Sequence, residues 1–199
     1  MDYREAIRET AAKLSALSLI DLQDIPRIEL YMEQVTTFFE EEMGDVRRHS
    51  EEKILTKTMI NNYTKSGILD APNRKKYNRD HIIALVYIFL LKPVLAIQDI
   101  RQIFDMQPDG HASEEQAALY TVFIRMLDDY LEKSAGRIEA LLTTADRMLA
   151  EAGLDDPRYS VMLLCLLLSV EATAGKLTVG RLLDRFKDWD WDHTKKESR

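Results

Sequence analysis

Turn-forming residues are scarce in this chain, with 7 Gly and 5 Pro among 199 residues. A sandwich or barrel needs a turn every few residues, so this scarcity argues against a strand-rich fold. Cys165 is the single cysteine, which excludes a disulfide scaffold; its place in an apolar run predicts a buried, inert thiol. No glycine-rich phosphate loop and no nucleophilic triad is present. The four histidines, His49, His81, His111 and His193, never stand at metal-ligand spacing from one another. Long hydrophobic runs are missing too. Ile82 to Leu91 and Val161 to Leu168 run to ten and eight residues, against the ~20 of a spanning helix. The charged opening Met1-Asp2-Tyr3-Arg4-Glu5 lacks the apolar region of a secretory signal. These absences together predict a soluble cytoplasmic protein that is no enzyme and has no cofactor, metal or membrane partner.

What is present is an ordinary globular composition, 46% hydrophobic and 31% charged. That excludes disorder and leaves room for one large domain or two small ones. The charges are unevenly spread. The whole chain has 27 cations and 34 anions, net −7. Between Lys53 and Lys92, however, eight cations face two anions, Asp70 and Asp80, giving +6; the rest of the chain carries −13. A basic segment in an acidic protein is the footprint of one module that meets a polyanion, and equally of a solvated surface that happens to be basic.

Hydrophobic periodicity predicts helices almost throughout, an all-α class. Residues 2–19 repeat Ile7, Ala11, Leu14 and Leu17. Pro26 opens a second predicted helix with a stripe of Ile28, Tyr31, Met32, Val35, Phe38, Phe39 and Met43, closed by Gly44. Asp45–Lys53 reads as a loop. Thr56 caps a short helix that Gly67 ends, and Asn78 caps an apolar helix, Arg79 to Leu91, that Pro93 ends. A short helix through Ile97, Ile100, Ile103 and Phe104 follows. After the turn signals Pro108, Asp109 and Gly110, four more helices are predicted over Glu114–Ser134, Arg137–Ala152, Pro157–Ala174 and Thr178–Trp189. The first of these has a stripe, Leu119 to Leu131, wider than a coiled-coil seam, which favours bundle packing. The domains expected are an N-terminal helix (1–24), a central domain (25–106), a helical bundle (107–189) and a polar tail (190–199).

On the helix from Lys57, at about 100° per residue, Ile60 and Tyr63 face inward and Thr58, Asn61, Asn62 and Lys65 share an outward arc. Two amides, a hydroxyl and an ammonium can read major-groove edges, though an ordinary amphipathic surface helix carries the same groups. The series Met59-Ile60-Asn61-Asn62-Tyr63-Thr64-Lys65-Ser66-Gly67-Ile68-Leu69, followed by Pro72, resembles the recognition helix of MerR-like winged helix-turn-helix regulators. Lys75-Lys76-Tyr77-Asn78-Arg79-Asp80-His81-Ile82 resembles the end of that family's wing, and Leu95 to Phe104 its closing helix. Asn61 and Asn62 depart from the basic and aromatic residues usual there, and the wing is short. Ile25–Phe104 is also similar to an uncharacterised bacterial domain family, DUF eighteen-thirty-six. That similarity rests on Ile28 to Thr36, Leu55 to Tyr63 and Lys75-Lys76-Tyr77.

The MerR resemblance implies a winged helix-turn-helix domain with a short wing, followed by a small helical bundle. It implies a regulator that binds double-stranded DNA as a homodimer. Thr58, Asn61, Asn62 and Lys65 would meet base edges, while Lys57, Arg74, Lys75, Lys76, Tyr77 and Arg79 would position the backbone. The bundle would dimerise or hold a small-molecule effector, with Glu171 either a pocket carboxylate or the point where a helix emerges into solvent. The competing expectation is a non-catalytic interaction or ligand-sensing module that keeps the fold without specific DNA binding. The alternating carboxylates of Asp188 to His193 invite a metal but lack a calcium loop's glycine, and read as an acidic tail.

Overall fold

The computed structural model describes residues 2–17, 19–108 and 112–189. Asp109, Gly110 and His111 lie outside the described residues, as do Asp190 onward, including most of the candidate metal motif and the predicted polar tail. The elements are α1 (Tyr3–Ser15), β1 (Leu30–Tyr31), α2 (Met32–Met43), α3 (Lys57–Lys65), β2 (Lys76–Tyr77) and α4 (Arg79–Leu91). They continue with α5 (Ile97–Phe104), α6 (Ser113–Glu132), α7 (Ser134–Glu151) and α8 (Pro157–Phe186). The two strands have two residues each, so the class is all-α.

Local chemistry explains the central boundaries. The Thr56 hydroxyl accepts from Met59 N at 3.2 Å, satisfying one of the unpaired donors at the start of α3. Gly67 adopts φ +74°, and Ile68 N then turns back to Tyr63 O at 3.1 Å, closing the helix in the left-handed manner that glycine permits. At α4 the Asn78 carboxamide accepts from His81 N at 3.1 Å. That helix is apolar on several sides and becomes the centre of the core, with Ile82, Ile83, Leu85, Val86 and Ile88 all buried.

Two cores form. The larger runs from Leu19 and Ile20 through α2, α3, α4 and α5 to Tyr120 and Ile124 of α6. It therefore crosses residues 107–112, where turn residues suggest a domain boundary. The Tyr120 hydroxyl, fully buried, donates to Ile20 O and ties α6 to the segment before β1. The smaller core joins Ala11 of α1, Ile138 of α7 and Leu164 of α8. Arg4 pairs with Asp146 and Arg8 with Glu139, so the N-terminal helix packs on the C-terminal ones.

Several expectations need correction. No helix starts at Pro26: Leu30 and Tyr31 instead pair antiparallel with Tyr77 and Lys76, which carries the chain extended into α2 and leaves Ile28 72% exposed. A two-residue strand is too short to show alternation. The two helices expected over residues 157–189 are one 30-residue helix, Pro157–Phe186, because Gly175 between them continues the helix rather than ending it. A helical glycine costs only about 1 kcal/mol relative to alanine. Along α6 the predicted stripe is split: Phe123 and Leu127 pack against the larger core while Leu119, Val122, Met126 and Tyr130 are exposed, and the buried residues are Tyr120 and Ile124, outside the stripe. Cys165 is exposed, not buried. By length and composition α8 could cross a membrane, which no single apolar run of the sequence signals, and almost none of its apolar stretch is buried.

Candidate nucleic-acid interface

Helix α3 is held by Ile60, fully buried, and Tyr63, whose ring sits in the larger core. Burial pushes the Tyr63 phenol up, so the hydroxyl stays neutral at ordinary pH. The opposite side of α3 carries Thr58, Asn61, Asn62 and Lys65, all exposed. The four predicted base-reading residues thus share one solvent-facing side.

The chain between α3 and α4 folds into a tight hairpin. Lys76 N donates to Asn73 O at 2.9 Å across Arg74 and Lys75. Arg74 has φ 49° and Lys75 φ 67°, both left-handed. Positive φ at both central residues is the signature of a type I′ turn, where Asn-Gly is the comfortable pair. Arginine and lysine are strained there, by roughly 1 kcal/mol each. Both side chains are exposed, and among the described residues neither forms an ion pair.

The remaining candidates divide. Lys57 is exposed but donates to Glu33 of α2 at 2.6 Å, and that bond holds the Glu33 carboxyl below the usual carboxylate range. Lys76 lies 5.6 Å from the Tyr31 ring centre and 4.0 Å from Glu29. Residues 29–33 therefore touch both α3 and the hairpin, and set the two basic elements on either side of one short acidic ridge. The sequence has no local sign of this ridge, because Glu29 and Glu33 meet the two basic elements only through the fold. In the loop before α3, Glu40 accepts from Ile54 N at 3.0 Å and from Arg47 at 3.0 Å.

Tyr77 and Arg79 fall outside the exposed face. Tyr77 is 2% exposed, edge-on to the His81 ring, and burial raises its phenol pKa. Arg79 donates to Leu22 O and is half-buried. Both hold the start of α4 against its neighbours. In the C-terminal part Glu171 is exposed and reaches Arg137 at 3.8 Å, so it marks an emerging helix and not a pocket. Among the described residues no group of three or more His, Cys, Asp or Glu side chains is placed to hold a metal.

No curated protein and no solved structure matches the chain. One family model does, over residues 20–123, and its span takes in all the buried residues of the larger core except Leu19 and Ile124. The chain belongs to the family described as domain of unknown function DUF1836.

Proposed function

We propose that the exposed side of α3 and the basic hairpin form a winged helix-turn-helix surface for double-stranded DNA, and that the protein is a dimeric transcriptional regulator. The observation that carries this reading is the hairpin turn. Strain persists at sites where function holds it in place, and here it sets two unpaired cations, Arg74 and Lys75, at the tip of a hairpin near α3. In this reading Thr58, Asn61, Asn62 and Lys65 contact base edges, and Arg74, Lys75, Lys76 and Lys57 contact phosphates. Lys57 would exchange Glu33 for a phosphate on binding. Tyr77 and Arg79 serve as supports.

A second reading, in which the same face docks an acidic protein segment, draws on the Glu33–Lys57 pair, where this face already accepts a carboxylate. Selection of bound fragments from random-sequence and genomic DNA pools separates the two. Enrichment of a two-fold symmetric site supports the regulator, since two modules read two half-sites. Absence of any retained DNA at low salt contradicts it and leaves the acidic-partner reading.

A further inference from the structure

Three parts of the chain meet at a recess of about 450 Å³. The segment before β1 brings Arg27 to it, the first residue of α4 is Arg79, and α6 brings Arg125. Leu22 and Ile124, which pack in the larger core, form its apolar wall. The volume falls in the range of small-molecule sites, about 300–1,000 Å³. Arginines elsewhere in the chain take carboxylates within 4.0 Å: Arg8 pairs with Glu139, Arg47 with Glu40 and Arg147 with Glu151. Among the described residues none of the three at the recess has such a partner. Arg79 is the most confined of them. It is half-buried, one Nη donates to Leu22 O, and its Nε is buried without a partner. A guanidinium withdrawn from water without a counter-charge is costly, and two more beside it add repulsion between like charges. Asp21 is the one carboxylate in the lining among the described residues, which leaves the recess a net +2.

We infer that this recess binds the phosphate group of a small phosphate monoester, gripped by Arg27, Arg79 and Arg125. Planar guanidinium forks match phosphate oxygens two at a time. The charge selects a monoester, which carries about −1.5 to −2 at pH 7, whereas each phosphate of a DNA strand carries a single charge. Arg79 would meet it through its second Nη, which has no partner within the chain. Around the arginines stand acceptors for hydroxyl groups. Asp21 and Gln23 supply two, and the Thr121 hydroxyl, which donates to Ala117 O, keeps its lone pairs. The organic part that fits is therefore hydroxylated, as in a sugar phosphate. Bound there, the phosphate would tie α6 to the segment before β1, as the Tyr120 hydroxyl already does through Ile20 O. No lining residue belongs to α3 or to the hairpin tip, so the site does not rest on the DNA reading.

The test is isothermal titration calorimetry of the full chain, without DNA, with ribose 5-phosphate as the probe. It should saturate one site per chain, and ribose without phosphate should not bind. Arg27→Ala and Arg125→Ala should each raise the dissociation constant at least about 10-fold, the worth of a hydrogen bond to a charged group. Both side chains are exposed, so circular dichroism should be unchanged. Arg185→Ala on α8, outside the recess, should bind as the wild type does. No saturable binding by the wild type, equal binding of ribose, or undiminished binding by both recess variants overturns the inference. DNA is the other source of phosphate, and a second measurement separates it. A DNA duplex should not displace ribose 5-phosphate at constant ionic strength, and Arg125→Ala should keep the DNA affinity of the wild type. Displacement together with weakened DNA binding would assign the arginines to the DNA backbone and overturn the inference. Ribose 5-phosphate binding by a chain that retains no DNA contradicts the proposed function and leaves this inference standing.

Discussion

Arg74 and Lys75 show how a single backbone choice separates stability from binding. In the left-handed region glycine and asparagine are at ease, whereas long side chains are strained. Arg74→Asn with Lys75→Gly should therefore raise folding stability, by about 1–2 kcal/mol in urea melts, while weakening DNA binding. If binding weakens without a gain in stability, the strain argument fails. Next to the hairpin, Glu33 competes with phosphate for Lys57. Glu33→Gln should strengthen binding to all DNA several-fold at low salt, read by fluorescence anisotropy. By contrast Asn61→Ala or Asn62→Ala should relax sequence preference at single positions and leave non-specific affinity unchanged. At this scale the sequence was informative about type and poor about environment. Lys57, Asn61 and Arg74 are exposed, as their chemistry suggests. Tyr77 and Arg79 look like phosphate contacts by charge and polarity, yet only their tertiary partners, His81 and Leu22 O, reveal them as supports.

Elements with strong caps were legible, and those defined by pairing were not. Thr56, Gly67, Asn78 and Pro93 mark the limits of α3 and α4 because each acts on its own helix end. Strands β1 and β2 exist only through each other, so nothing local announces them. The splitting of α8 at Gly175 is the opposite error, a weak helix former read as a break where the helix runs on. Gly175 sits in that helix with nothing within 4 Å of where a Cβ would stand. Gly175→Ala should thus stabilise the fold by about 0.5–1 kcal/mol, measured by thermal unfolding. Aromatic residues between α4 and α6 give these helices a pH dependence. Burial raises the Tyr87 phenol to about 12 and that of Tyr120 further. In the unfolded chain both titrate near pH 10. Stability should therefore be intact below about pH 10 and fall above it, as the unfolded state releases protons that the folded state retains. Tyrosinate absorbance followed together with circular dichroism checks this: ionisation of these two rings should coincide with unfolding.

The whole molecule joins a basic face, proposed to meet DNA and built within residues 20–123, to a long helix that leaves an apolar side open. The segregation of charge was visible in the sequence, because a count along the chain needs no fold. The open side was not, since apolar periodicity on α6 and α8 does not say which residues meet a partner within the chain and which await one. The account's central claim is that the α3–hairpin face binds DNA through its cations. The most direct test is the salt dependence of affinity, compared between the wild type and Lys75→Ala with Lys76→Ala. Each phosphate contact contributes a slope of about −0.9 in log affinity against log salt. The account predicts steep dependence in the wild type, a slope shallower by about 2 in the double variant, and equal weakening on every sequence. An unchanged slope and affinity in the double variant would contradict it.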